Sequence, residues 1–167
     1  MHRNSYVKRL LQSQEIVYKY LDEISVVKSG VRTKSDQGSK QRSHSNPFPV
    51  YGAGGLDRYI DKYVHDQTSV ILPGSGSLEK LFYVTEPFYC LGSVFYTVID
   101  TEFINPRYLY YYLSTINLLS LSGQSSGRLG ISRANYNKLL LPIPPLNVQC
   151  QLIDDLDKFE NLHDALS

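Results

Sequence analysis

Val7, Leu10, Gln14, Val17 and Leu21 recur at alternating steps of three and four, which sets them on one face and predicts a helix from Met1 to about Leu21. The pattern then shortens. The β-branched run Ile24 to Lys28, stopped by Ser29-Gly30, predicts a strand. Arg32 to Asn46 holds almost no apolar residue and reads as a long polar loop, a type of segment that is usually functional or disordered. Between Pro47 and Asp100 short apolar stretches alternate with turns. Phe48 to Tyr51, Arg58 to Val64, Ser69 to Leu72, Leu81 to Val84 and Val94 to Ile99 are the expected strands. Gly52-Ala53-Gly54-Gly55, Pro73-Gly74-Ser75-Gly76-Ser77 and Glu86-Pro87 separate them.

A helix is expected next, capped by Asn105 with Pro106 in its first turn. Its stripe is Leu109, Tyr112, Leu113, Ile116 and Leu119, and Gly123 is its expected end. After the loop Gly123 to Gly130 comes a short capped helix, Ser132 to Lys138, then Leu139-Leu140-Leu141 up to the prolines at 142, 144 and 145. The final segment, Asn147 to Ser167, repeats Gln149, Leu152, Leu156, Phe159, His163 and Leu166 at three-four spacing. A seam that narrow suits pairing with another helix; the other reading is a helix packed on its own domain. The expected class is α+β: one small domain with a twisted, heavily turned β-sheet and flanking helices, then a C-terminal helix able to form a coiled coil. The expected divisions are residues 1–21, 22–146 and 147–167.

At 167 residues the chain has room for one domain and a short appendage. Its apolar runs are too short for a membrane span, and no signal peptide is expected. Cys90 and Cys150 lack metal-site spacing and the four histidines are scattered, so no metal site is expected and a reducing, cytoplasmic setting is the default. The formal net charge of +1 conceals an asymmetry. Residues 1–46 carry nine Lys/Arg and four Asp/Glu, whereas residues 147–167 carry one Lys and five Asp/Glu. The basic front is either a polyanion contact or a solvated arm.

Two motifs touch catalysis. Gly123-Gln124-Ser125-Ser126-Gly127 matches a nucleophile elbow, with Asp154 and His163 following in hydrolase order. That elbow must sit between a strand and a helix, and here it follows a helix, so it reads as a loop. Gly74 to Lys80 resembles a phosphate loop in composition but lacks the Walker spacing. No S-adenosylmethionine signature is present, so no catalytic residue is assigned. The 14 tyrosines crowd residues 108–112 and the first Gly-rich turn; most read as core-edge residues, and those near the basic loop as candidates for phosphate or base contact.

In this order the segments resemble a known family. Tyr18 to Ile24 with Lys28-Ser29-Gly30 is similar to the opening of a target-recognition domain from the specificity subunit of type I restriction–modification systems. Phe48-Pro49-Val50-Tyr51-Gly52-Ala53-Gly54-Gly55 resembles its Pro-Val-Tyr-Gly turn, and Val70 to Ser77 with Phe82-Tyr83-Val84 its second Gly-rich hairpin. Asn105 to Leu113 is similar to its Tyr-rich helix. Ile131, Pro142 to Leu146 and Gln149 resemble its exit into a spacer helix.

The resemblance implies a non-catalytic module that reads one half of a bipartite site in double-stranded DNA. It implies a methylation subunit as partner, with S-adenosylmethionine bound there and no cofactor on this chain, and a restriction subunit as a further partner. The chain departs from the family in holding one recognition domain, in a terminal helix of about 30 Å, and in Val148 where the family has an acidic residue. The expected forms are a half-subunit pairing with itself or with a second specificity half, a swappable cassette, or a truncated relic. The alternative is an interaction module that pairs through its helices without reading DNA. The expected phosphate contacts are Arg32, Lys34, Lys40 and Arg42, with Tyr51, Ser75, Ser77, Arg128 and Arg133 near the bases. The expected helix-pairing residues are Gln149, Leu152, Leu156, Phe159, His163 and Leu166.

Overall fold

The computed structural model describes residues 16–34, 37–125 and 128–166, with the side chains of 124–125, 128 and 162–166 outside the description. The strands are β1 (Val17–Tyr20), β2 (Ser25–Ser29), β3 (Phe48–Gly52), β4 (Gly55–Ile60), β5 (Ser69–Pro73), β6 (Phe82–Val84), β7 (Tyr89–Cys90), β8 (Val94–Ile99), β9 (Gly123–Ser125), β10 (Arg128–Gly130) and β11 (Leu140–Ile143). The helices are α1 (Leu21–Ile24), α2 (Pro106–Ser114), α3 (Arg133–Asn137) and α4 (Leu146–Leu166), with a 3-10 turn at Leu118–Leu121. The fold is thus mixed, with helices and several small sheets.

A four-stranded antiparallel sheet, ordered β2-β8-β5-β6, forms the centre. All five residues of β5 are buried, because both faces of this sheet are covered. Alternation divides them: Val70 and Leu72 join the main core against the helices, and Ile71 joins a second cluster with Phe88, Val94 and Tyr96. Where the β5–β8 ladder gives way, Ser69 and Thr97 replace it. Thr97 Oγ1 accepts the Val70 N–H at 2.9 Å and Ser69 Oγ accepts the Thr97 N–H at 3.0 Å. A three-stranded sheet, ordered β4-β3-β7, covers the second cluster, with β3 and β7 parallel.

Residues 1–15 of the expected first helix lie outside the described residues. Val17–Tyr20 is a strand and not helix, antiparallel to β11 with Val17 opposite Ile143 and Tyr20 opposite Leu140. The partner decides it: the Leu21 N–H continues the ladder to the Leu139 carbonyl at 2.9 Å, and Val17 on the expected seam is 53% exposed. The strand expected from Arg58 is displaced toward Gly55 and ends at Ile60.

Asn105 caps α2 as expected, its Oδ1 accepting the Arg107 N–H at 2.9 Å, and Pro106 occupies the first turn. The helix stops at Ser114 and not at Gly123. Ser114 Oγ and Thr115 Oγ1 donate to the carbonyls of Tyr110 and Tyr112, closing the last turn, and Leu118 then folds back into the core. Ser132 caps α3 through the Asn135 N–H. Buried tyrosines tie these helices to the strands: Tyr108 Oη donates to the Pro142 carbonyl at 2.9 Å and Tyr136 Oη to that of Pro73 at 2.6 Å.

Candidate nucleic-acid interface

The Gly-rich segments, far apart in sequence, meet around the β7–β8 turn, Leu91-Gly92-Ser93. The Ser93 carbonyl accepts the N–H groups of Gly74 and Ser75 at 2.9 and 3.0 Å, and Ser93 Oγ accepts that of Ala53 at 3.4 Å. The Gly74 carbonyl in turn accepts the Ile131 N–H at 2.9 Å, and Ser75 bridges Gly130 at the foot of the β9–β10 hairpin. Gly76, at φ +85°, takes the left-handed conformation that lets its loop lie against Ala53. The Gly30 and Val31 N–H groups close the same end by donating to the carbonyls of Val94 and Cys90 at 3.0 and 2.7 Å.

This convergence groups some of the expected contact residues and separates others. Arg32 is exposed and its stem lies over Gly92; it makes no ion pair among the described residues. Ser75 and Ser77 are exposed on the neighbouring loop. Arg128 begins β10 in the adjoining hairpin, and Arg133 is exposed in the first turn of α3, just after Ile131. Tyr51 lies half-buried beneath, against Phe82 and Phe88, and that burial pushes its phenol above its usual range. Its ring is a floor for this end and presents little face to a ligand.

The remaining cations run along the outer side of β4, held there by the bridge between Ser39 and Tyr59. Arg42 makes two hydrogen bonds of 2.7 Å to Glu86 and lies 5.0 Å over the Tyr59 ring. The bond from Arg42 holds the Glu86 carboxyl below its usual range. Lys40 donates to the Asp57 carbonyl and pairs with its carboxylate at 3.5 Å. Lys34 is exposed, with its carbonyl accepting the Gln37 N–H. Arg42 and Lys40 therefore carry their own counter-charges, whereas Arg32 stands at the convergence with no ion-pair partner among the described residues.

Sequence reading missed Gly30, Gly92, Ser93 and Gly130 as parts of this end. Leu91-Gly92-Ser93 has turn composition between two strands, but only the fold shows that three distant loops bond to it. The Gly123 to Gly127 motif starts in a two-stranded hairpin with β10 and not in a strand-to-helix elbow. Among the described residues no three His, Cys, Asp or Glu side chains group as metal ligands, and no helix is long and apolar enough to cross a membrane.

The expected pairing seam divides. Gln149 is fully buried: its Oε1 accepts the Asn105 N–H at 2.7 Å and its Nε2 donates to the carbonyls of Phe103 and Pro144 at 3.0 and 2.8 Å. Leu152 is buried and Leu156 partly so, both against the chain's own core. These residues are turned inward because α4 packs on α2, and Gln149 and Leu152 have no surface left for a partner helix. Phe159 is 53% exposed, and the side chains of His163 and Leu166 lie outside the described residues.

The fold and the sequence are both shared with known proteins. The chain belongs to the type I restriction modification DNA specificity domain family, whose model matches residues 14–167. It is 29% identical over 161 residues to a putative type I restriction enzyme specificity subunit of Haemophilus influenzae, covering 93% of this chain and 40% of that protein. It is 23% identical over 156 residues to the EcoprrI specificity subunit of Escherichia coli, covering 89% and 37%. The fold is similar to that of the S subunit of a type I restriction–modification system from M. genitalium, at a TM-score of 0.75 and 15% identity over 89% of this chain and 40% of that one. It is also similar to the HsdS subunit of Thermoanaerobacter tengcongensis, at a TM-score of 0.70 and 14% identity over 98% and 44%. The chain thus spans about two fifths of the length of the curated relatives it matches.

Proposed function

We propose that this chain is a DNA-sequence-reading module of a type I restriction–modification specificity subunit, itself non-catalytic. The observation that carries the reading is the convergence of its Gly-rich turns beside Arg32, within a family-matched stretch of residues 14–167. An exposed guanidinium with no ion-pair partner among the described residues, set beside turns that the Ser93 bonds hold together, is suited to a phosphate contact. Exposed Ser75, Ser77 and Arg133, with Arg128 at the start of the adjoining hairpin strand, are in this reading the candidates for base edges.

In this reading the ligand is one half of a split site in double-stranded DNA, in the cytoplasm. A methylation subunit carrying S-adenosylmethionine does the chemistry, and a restriction subunit joins for cleavage. The last helix, α4, serves as the spacer that pairs with a helix of a second recognition unit, through the exposed Phe159. The family match does not favour the alternative of an interaction module that reads no DNA.

The test is methylome sequencing of cells with and without this chain, supplied with its methylation subunit. A split motif methylated only when the chain is present is the expected result. Absence of any new motif, together with no DNA retention at low salt, overturns it.

A further inference from the structure

The last helix is fixed to the domain at two separated points. The first is the buried Gln149 amide, bonded to Phe103, Pro144 and Asn105. The second lies two turns along, where Arg107 of α2 donates Nε and Nη2 to Asp157 Oδ1 at 3.0 and 2.9 Å. Tyr111, one turn further along α2, donates its hydroxyl to Asp157 and lies 3.0 Å from Glu160 Oε2. The Arg107 guanidinium is itself held between two rings, 5.3 Å from the centroid of Tyr83 and 5.2 Å from that of Tyr111. Tyr83 belongs to β6, so the second point reaches into the central sheet.

From this geometry we infer that Arg107 and Tyr111 are positioning residues that lock the angle of α4 against the DNA-reading end, and so fix the gap between the two half-sites the assembled protein accepts. The gap depends on the function proposed above; the lock itself does not. Apolar packing centred on Leu152, with Val148, Ile153 and Leu156 beside it, holds α4 to the core but does not by itself fix its angle. From there to Leu166 the helix runs about 21 Å at 1.5 Å per residue, so a tilt of about 10° moves its end by about 4 Å. That is about one base step of 3.4 Å. Helix packing tolerates angular scatter of this order, and two fixed points about 12 Å apart remove it. Exposed ion pairs are weak stabilisers, but this one is half-buried, stacked and shared by four side chains, which suits it to setting direction.

The experiment has two arms, both on the full chain with Arg107→Ala, with the milder Asp157→Asn, and with Asp154→Asn, exposed on α4 and outside the Arg107 cluster, as a control for loss of one helix charge. In the first, Cys150→Ser protein carries spin labels at exposed positions 120 and 161. A narrow distance distribution in the parent, broadened in the Arg107 and Asp157 variants, is expected; an unchanged distribution overturns the lock. In the second, the chain with its methylation subunit is offered DNA whose half-sites are separated by graded gaps. Methylation at gaps one base pair shorter or longer is expected to rise severalfold in both variants, with the half-site bases unchanged. Unchanged gap preference, or loss of half-site reading together with gap preference, overturns the spacing role. If the parent methylates no sequence, the proposed function fails and the spacing role with it, while the distance arm still decides the lock.

Discussion

The side-chain carbonyl of Gln149 accepts the main-chain N–H of Asn105 at 2.7 Å, so the residue that caps one helix is itself held by the first turn of another. The Gln149 Nε2 donates on the other side to two carbonyls, and the whole side chain is out of water. Gln149→Leu leaves one N–H and two carbonyls without partners, and a loss of about 3 kcal/mol is expected. Gln149→Glu keeps the acceptor but turns the donor into a charge facing two carbonyls, and is expected to be worse at neutral pH than at pH 5. Urea denaturation at both pH values checks this.

Arg32 and Arg42 are expected to behave differently on DNA. Arg32→Ala should reduce the slope of log K against log salt by about 0.9, the signature of one lost phosphate contact. Arg42→Ala should change it less, because Glu86 already holds that guanidinium in two bonds. Glu86→Gln should then steepen the slope. Filter binding over a salt series reads all three.

Gly30 has no room for a side chain. A Cβ there would stand 2.0 Å from the Leu91 carbonyl oxygen, which forces apart the strand end that Gly30 and Val31 close. Gly30→Ala is expected to cost about 3 kcal/mol and to lift Arg32 away from the β7–β8 turn. A lower denaturation midpoint together with weakened DNA binding is the outcome to look for.

His65 lies against Phe88 and Tyr96, with ring centroids 5.8 and 5.5 Å away, and its Nε2 is buried without a hydrogen-bond partner among the described residues. Burial pushes its pKa below the usual value and Lys28 adds to this, while Asp66 opposes. The unfolded chain therefore binds the proton more readily. The stability due to neutral His65 is complete above about pH 6.5 and is lost as pH falls through the lower folded value. His65→Phe should flatten that part of the stability profile, measured by denaturation between pH 7.5 and 5.

Phe159 bears on pairing. Phe159→Glu should abolish helix pairing with a second recognition unit and leave the unfolding midpoint nearly unchanged, since the ring is 53% exposed. Sedimentation velocity with the paired unit distinguishes the two effects.

Strands and caps built from local chemistry were legible. The run Val94 to Ile99 is a strand as read, and Asn105 and Ser132 cap the helices their neighbours predict. What failed depended on distant partners. Val17 to Tyr20 has helical spacing, yet β11 recruits it into a ladder. Gln149 has the spacing of a pairing seam, yet three backbone groups of its own chain claim it. Among the expected DNA contacts, no periodicity separates Arg32 from Arg42; only the position of Glu86, a distant residue, does so.

The pairing of Val17 with Ile143 has a kinetic consequence. β1, the first strand among the described residues, finds its partner only after nearly everything between them has been synthesised, and closing so long a loop is entropically slow. Tyr108 then bonds the carbonyl of Pro142 in that partner strand. Pairing of β1 with β11 is therefore a late zipping event, and a chain stalled before it would display an unpaired strand edge, the kind of surface on which nascent chains aggregate.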